Sequence, residues 1–435
     1  MVEVLKNAWK LPDLRKKILY TLLIILVFRV GSAIFVPFLD PVAVQGLLVG
    51  SEDNLLGFMN TMTGGALGSA TLFALSIMPF INASIIMQLL TVAIPALERL
   101  SKEGDEGRKK INKITKFLAL GIGVFQAVAF YITLRNNHAV MHTEGFEGFL
   151  AMITIVGCFT AGASLIIWLG DQISDKGIGN GISIILFAGI VSRLPLDIYG
   201  LIQEMQVREN GSYANYIFVP LYLLLYVAMI GFVVLMTNAE RRIPVQYAKR
   251  VVGRKMYGGQ SSHIPIKVAM AGVMPIIFAM SIMSLPQTIL FFFGITEPGP
   301  GFWGTFLRYF NQTTAIYAIV YFFMIIGFNY FYISIQYNPI EIANNLKKNN
   351  GAIPGYRPGK PTSDFIYNSL SKITLIGAMF LGFIAIFPIV FANITNIRSM
   401  AMGGTTLLIV VSVALETMRS LESQMMMRHH KGFLE

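Results

Sequence analysis

Ten apolar runs separated by polar stretches divide the chain, at about 18–38, 71–94, 114–134, 149–169, 178–194, 213–236, 266–285, 315–335, 373–391 and 404–418. A helix needs about 20 apolar residues to cross a hydrocarbon core of about 30 Å, so each run predicts one transmembrane helix, the fifth and tenth being short. Ahead of the second run the pattern changes: residues 57–70 hold Gly57, Gly64, Gly65 and Gly68 together with Asn60, Thr61 and Thr63. Each glycine costs a helix interior about 1 kcal/mol, so this stretch predicts irregular backbone folding back into the membrane. Such backbone survives at membrane depth only where protein or a water-filled cavity satisfies its polar groups, so the spans are expected to surround a cavity. On the run that follows, Ile77, Ile81, Ser84 and Gln88 share one helical face that turns from aliphatic to polar, a candidate cavity lining.

Composition then fixes the solvent. Charged residues make up 13% of the chain and hydrophobic ones 54%, with a mean hydropathy of +0.63, which excludes a water-soluble fold. The net charge of +11 reads first as a signal of sidedness. Of the 34 Lys and Arg, 28 lie in the N-terminus, the C-terminal tail and the loops after even-numbered spans, against 5 in the other loops. The positive-inside rule therefore predicts both termini in the cytoplasm. Run 18–38 is too long for a signal peptide and carries Arg29, so it is read as a retained span. Arg29 would cost a few kcal/mol facing lipid and should face protein or water, most simply as a structural Arg bonded to neighbouring carbonyls. The single Cys158 excludes an intrachain disulfide and a Cys-based metal cluster.

The polar stretches differ in kind. Residues 98–116 carry seven Lys and Arg among four acids and are expected to be a cytoplasmic loop. A polar, Gly-rich loop at 171–181 leads into the fifth span, where Leu186 and Ile190 lie one helical turn apart. The loop 238–267 is the most basic, with Arg241, Arg242, Lys249 and Arg250 beside apolar Ile243 and Val245. A docking surface, attraction to anionic lipid and a plain topology signal all fit it. In the seventh span Pro275 is expected to kink the helix. A second long loop, 337–364, sets four prolines around Lys347, Lys348, Arg357 and Lys360, which suggests an ordered protrusion.

No phosphate-binding G-x-x-x-x-G-K-[ST] loop, H-E-x-x-H or G-x-S-x-G motif occurs, so neither nucleotide hydrolysis by that device nor an enzyme is expected, and no cofactor. Ion-coupled carriers place acids or Lys near the midplane; here Arg29 is the one charge deep in a span, which fits a pore better.

Six stretches carry a resemblance: TLFALSIMPFINASIIMQLL (71–90), GIGNGISIILFAGIVSRLP (177–195), ERRIPVQYAKR (240–250), AGVMPIIFA (271–279), NPIEIANNLKKNNGAIPGYRPGKPT (338–362) and GGTTLLIVV (403–411). Together, in this order and over nearly the whole chain, they resemble the SecY family of central subunits of bacterial protein-conducting channels. The resemblance implies an all-α polytopic fold of ten transmembrane helices in two inverted five-helix halves, 1–195 and 213–435, joined by a hinge loop at 196–212. It implies a re-entrant plug, centred on Asn60, Thr61, Met62, Thr63, Gly64, Gly65, Ala66, Leu67, Gly68, Ser69 and Ala70. It also implies a pore ring of Ile77, Ile81, Leu186, Ile190, Ile277 and Ile409, and a lateral gate between spans two and seven with Asn82, Gln88 and Ser281 as its polar positions. Leu186 departs from a ring usually rich in isoleucine, but keeps a branched aliphatic of equal volume. Motor or ribosome docking falls on Arg241, Arg242, Lys249, Arg250, Lys347, Lys348 and Arg357. The implied partners are the SecE and SecG subunits, the SecA ATPase, the ribosome, signal-bearing precursor polypeptides and anionic lipid, with no direct nucleic-acid function. The implied place is the bacterial cytoplasmic membrane, and the implied function is to pass unfolded polypeptides and release apolar segments into lipid. The alternative is a secondary carrier of an amphipathic small solute, also built from inverted repeats.

Overall fold

Proline and glycine set where the apolar runs become helix. The computed structural model describes residues 2–48, 60, 63–207, 214–247, 250–252, 255–257, 261–292, 302–310, 314–395 and 403–429. In chain order the helices are α1 (Val2–Lys10), α2 (Pro12–Gly31), α3 (Pro41–Leu48), α4 (Met78–Ala93), α5 (Pro95–Lys102), α6 (Asp105–Asn136), α7 (Gly145–Lys176), α8 (Gly181–Val207) and α9 (Ala214–Asn238). Strands β1 (Glu240–Tyr247), β2 (Arg250–Val252), β3 (Lys255–Tyr257) and β4 (Ser261–Lys267) follow. Then come α10 (Met274–Phe292), α11 (Phe302–Tyr309), α12 (Ala315–Gln336), α13 (Pro339–Lys348), β5 (Gly351–Ala352), α14 (Lys360–Thr395) and α15 (Gly403–His429). Proline stands in the first turn of α2, α4, α5 and α13, where the N–H it lacks would have no helical partner.

Each of the ten apolar runs contributes to a helix. Six segments are long and apolar enough to cross a membrane by themselves: Asp105–Asn136, Gly145–Lys176, Gly181–Gly200, Ile217–Asn238, Ala315–Lys348 and Lys360–Thr395. Met78–Ala93 with Pro95–Lys102, bent by 101°, adds a seventh. The remaining runs fall on α2, α10 and α15. Large apolar side chains point outward from these helices, among them Leu26 on α2, Phe117 on α6, Leu235 on α9 and Phe323 on α12. Such faces suit lipid, and the chain is a multi-pass membrane protein.

Several boundaries differ from the sequence expectations. The second span starts at Met78, because Pro79 opens its helix; Thr71 bridges to Phe35 and residues 72–77 form turns instead. The seventh starts at Met274; Ile266 belongs to β4, and a turn occupies 268–273. Pro275 therefore stands in the first turn of α10 and Pro286 is the proline inside it, so the expected kink at Pro275 is not there. The basic stretch 98–116 is helical over most of its length, in α5 and the start of α6. The segment read as a hinge loop is helix as far as Val207, the end of α8, and residues 208–213 lie outside the described residues.

Among the first five spans α6 packs on α4 and α7, and α7 on α2 and α8; among the last five α14 packs on α12 and α12 on α10. Contacts between the two sets run through α15 and α9 against α8, and α10 against α6.

Candidate pore, plug and docking sheet

The turn segment that precedes α4 is buried and largely satisfies its own backbone. The Gly65 N–H and the Thr63 hydroxyl donate to the Asn60 carbonyl at 2.8 and 3.0 Å, and the Gly68 N–H donates to Asn60 Oδ1 at 2.9 Å. The Ala66 carbonyl accepts from both the Thr71 N–H and its hydroxyl, at 3.1 and 3.0 Å. The post-α2 segment supplies the rest: the Leu72 N–H donates to Ile34 at 2.9 Å, and the Val36 N–H to Ala70 at 3.0 Å. These bonds answer the requirement that irregular backbone away from water be paired. Two close approaches fix the segment. Gly31 of α2 lets Phe73 lie against the helix, where its ring stacks on Phe28 at 5.7 Å, and Gly162 of α7 lets the Leu72 carbonyl touch the helix backbone. Leu67, Ala70, Ala74 and Leu75 then pack with Phe130 of α6 and Phe159 of α7. Thr63, Gly64, Gly65, Ala66, Leu67, Gly68, Ser69 and Ala70 are thus described with Asn60, while Thr61 and Met62 lie outside the described residues.

Immediately after this segment, aliphatic side chains from four spans meet. Ile77 at the N-cap of α4, Ile81 one turn on, Leu186 and Ile190 of α8, and Ile409 of α15 belong to one apolar cluster, and Ile277 of α10 packs against it. Ile77 is 0% exposed and Ile81 8%; Ile277 is half-buried. Phe278 of α10, Ile85 of α4, Ile166 of α7 and Val413 of α15 extend the same cluster. All six residues expected in a pore ring are therefore brought into or against one apolar cluster.

The three gate positions are less gathered. Asn82 and Gln88 on α4 and Ser281 on α10 are each half-buried. The helix backbone that lies against α10 belongs to α6, the third span, while Phe278 of α10 and the α4 side chains belong to one apolar cluster. One buried polar group went unremarked in the sequence, and a second departs from its expected pairing. Gln126 of α6 buries its side-chain oxygen without a partner, and so does Arg29 its Nη1 nitrogen, contrary to the expectation that Arg29 bonds to neighbouring carbonyls. A lone Gln in an apolar span gives no local signal of what surrounds it.

On the far side of the membrane-spanning helices the two long loops join. Strand β1 pairs antiparallel with β4, from Glu240 opposite Lys267 to Gln246 opposite Ser261, and with β5, Gln246 opposite Ala352 and Tyr247 opposite Gly351. Ile243 and Val245 of β1 face inward and Arg242, Pro244 and Gln246 outward, so the sheet buries one face. That face meets Ile266, Leu346, Ile353, Ile366 and Leu370. Gly351 is required at the joint, since a Cβ there would lie 2.9 Å from the Tyr247 ring. At the root of the sheet Arg419 of α15 donates to the Thr237 carbonyl at 3.0 Å and to Asn238 Oδ1 at 2.7 Å. Burial, and then the Arg419 guanidinium, push the Lys267 ammonium below its ordinary range, with the Glu240 carboxylate opposing them. Arg241 and Arg242 on β1, Lys347 and Lys348 in the last turn of α13, and Arg357 in the turn before α14 are all exposed. Lys249 lies outside the described residues, and the side chain of Arg250 is likewise not described. Among the described residues no group of three or more His, Cys, Asp or Glu is placed to hold a metal ion.

Comparison with known proteins agrees with this geometry. The SecY family model matches residues 71–418. Curated proteins named protein translocase subunit SecY are similar over their full lengths: those of Streptomyces scabiei and Halalkalibacterium halodurans are each 40% identical, over 100% of this chain and 100% of theirs. That of Mycobacterium bovis is 38% identical over the same shares. Among solved structures, one described as the structure of a protein conducting channel superimposes with a TM-score of 0.62 at 19% identity, covering 94% of this chain and 92% of that one. Sec61 in a canine ribosome–channel complex does so with a TM-score of 0.60 at 18% identity, over 94% and 92%. With its family model, full-length relatives and fold in agreement, the chain belongs to the SecY family.

Proposed function

We propose that this chain is the channel subunit of a protein translocase, passing unfolded polypeptides outward through the aliphatic ring and releasing apolar segments sideways into lipid. The observation that carries the reading is the convergence of Ile77, Ile81, Leu186, Ile190, Ile277 and Ile409, from four spans, beside a buried Gly-rich segment. An aliphatic constriction can exclude water and ions at rest, yet yield around a passing chain without binding it. Residues 60–70 act as the plug, and 1–195 and 213–435 as the halves that part. A secondary carrier is disfavoured, because the cluster is built from hydrophobic side chains and offers no group to couple an ion.

The joined cytoplasmic sheet is the docking face for the driver, the ribosome or the SecA ATPase, with Arg241, Arg242, Lys347, Lys348 and Arg357 exposed on or beside it. The 28 to 5 bias of basic residues supports termini and sheet on the cytoplasmic side of the cytoplasmic membrane. SecE braces the halves from outside and SecG is peripheral; the apolar faces left outward are available to helices of such partners as well as to lipid. The test is reconstitution in vesicles with SecE, a signal-bearing precursor and an ATP-driven SecA motor. The precursor should become protected from added protease only when ATP and the motor are present. Uptake of a small solute down an ion gradient, with no protected precursor, would favour the carrier.

A further inference from the structure

Gly64 rests against three polar atoms that belong to other elements. A Cβ on Gly64 would lie 2.8 Å from the Gly189 carbonyl oxygen, 2.8 Å from Ser192 Oγ and 2.9 Å from Arg29 Nη1. Its φ of +68° is a second bar to any other residue. The Ser192 hydroxyl donates to the Gly189 carbonyl at 2.6 Å, and neither oxygen takes a hydrogen bond from Arg29 Nη1. Arg29 Nη1 is not engaged: it is buried and has no hydrogen-bond partner. A charged donor buried without an acceptor destabilises the state that buries it, more than a neutral donor would, and water relieves it. Arg29 stands in the last turn of α2, where the helix dipole favours a cation, but that field does not replace the missing acceptor.

We propose that Arg29 is a positioning residue that raises the energy of the seated plug and thereby sets how readily the channel opens. Gly64 is among the groups that cover Nη1, so seating the plug strips water from that nitrogen and lifting it lets water return. The penalty belongs to the closed state and is recovered on opening. This inference rests on the reading of residues 60–70 as a plug. It has the opposite sign to a latch, in which Arg29 would hold the plug down by attraction.

The experiment uses the full chain in the reconstituted translocase and reads two quantities: resting ion conductance, and the fraction of channels opened by a fixed amount of signal-bearing precursor. Arg29→Met keeps the side-chain reach and removes the unpaired charge; the opened fraction should fall about tenfold, with resting conductance no higher than that of the unaltered chain. Arg29→Lys retains a charge and should stay close to the unaltered chain. Deleting residues 60–70 should raise the resting conductance and make Arg29→Met indistinguishable from Arg29, because nothing then seats over Nη1. If the deletion leaks but Arg29→Met opens as readily as the unaltered chain, or leaks more at rest, the inference is wrong and the plug reading stands. If the deletion does not leak, the plug reading falls and takes this inference with it. Should Arg29→Met fail to accumulate in the membrane, Arg29→Gln takes its place, and an unreduced opened fraction in that variant is equally decisive against the proposal.

Discussion

Ile81 and Ile277 belong to the same apolar cluster from different positions, the first almost wholly buried on α4 and the second half-buried, packed against the cluster from α10. Replacing each by Ser removes about 1.5–3 kcal/mol of favourable burial and puts a hydroxyl where the constriction depends on being dry. The double variant should raise resting ion conductance through reconstituted channels, and an unchanged conductance would put the barrier elsewhere. Leu186 needs no special account, being a branched aliphatic 5% exposed in the same cluster. The aliphatic character of these positions is visible in the sequence, and the one-turn spacing of Leu186 and Ile190 places them on one face. That spacing is equally what any helix core shows, so only the family resemblance pointed to a ring. Gly64 was readable as a glycine in a poor helix, but not as the point that Arg29 approaches, because Arg29 comes from an earlier span.

The β1–β4–β5 sheet ties two loops about a hundred residues apart into one body. Gly351→Val would drive a side chain into the Tyr247 ring and the Val245 methyl, 2.9 and 3.3 Å from a Cβ at that position. It should separate β5 from β1 and leave the β1–β4 hairpin intact. Limited proteolysis should then cut near residue 351 faster than in the unaltered chain, while motor-driven export falls more than membrane insertion does. Arg357→Glu probes the same face by charge alone: the side chain is exposed, so the fold should persist, and Lys347, Lys348 and Lys360 still mark the side. Export driven by the motor should drop; export at the normal rate would reduce the loop to a topology signal. Charge was the loudest feature of 238–267 and hid its strand, although Ile243 and Val245 alternate with Arg242, Pro244 and Gln246 as a half-buried strand requires. The β1–β5 pairing has no local trace. Helix starts were more readable than the apolar runs suggest: Pro79 and Pro275 mark the true openings of α4 and α10, and hydropathy alone placed both too early.

A channel that releases segments sideways must part along one line of helix contacts, and the structure offers a specific one. The first five spans meet the last five through α15 and α9 on α8, with Lys17 of α2 bonded to Gln424 of α15, and through α10 on α6, Phe278 sharing one cluster with α4. The α8 side includes the connection between the two sets, so it is suited to hinge, and the α10 side to open. If half-buried Asn82 and Ser281 flank that second line, their polar groups lower the cost of a gap that is sometimes wet, and an apolar segment arriving there partitions to lipid. A Cys at each of these positions, with Cys158 replaced by Ser, should crosslink through a reagent a few ångströms long. The short link should block both export and the membrane release of apolar segments; a long flexible link should restore export. A carrier that alternates between two aqueous faces has no need of this line to part completely. If the short link forms readily and both activities persist, the opening lies elsewhere, and the α6–α10 contact becomes the next place to tether, since α6 backbone lies against α10 there.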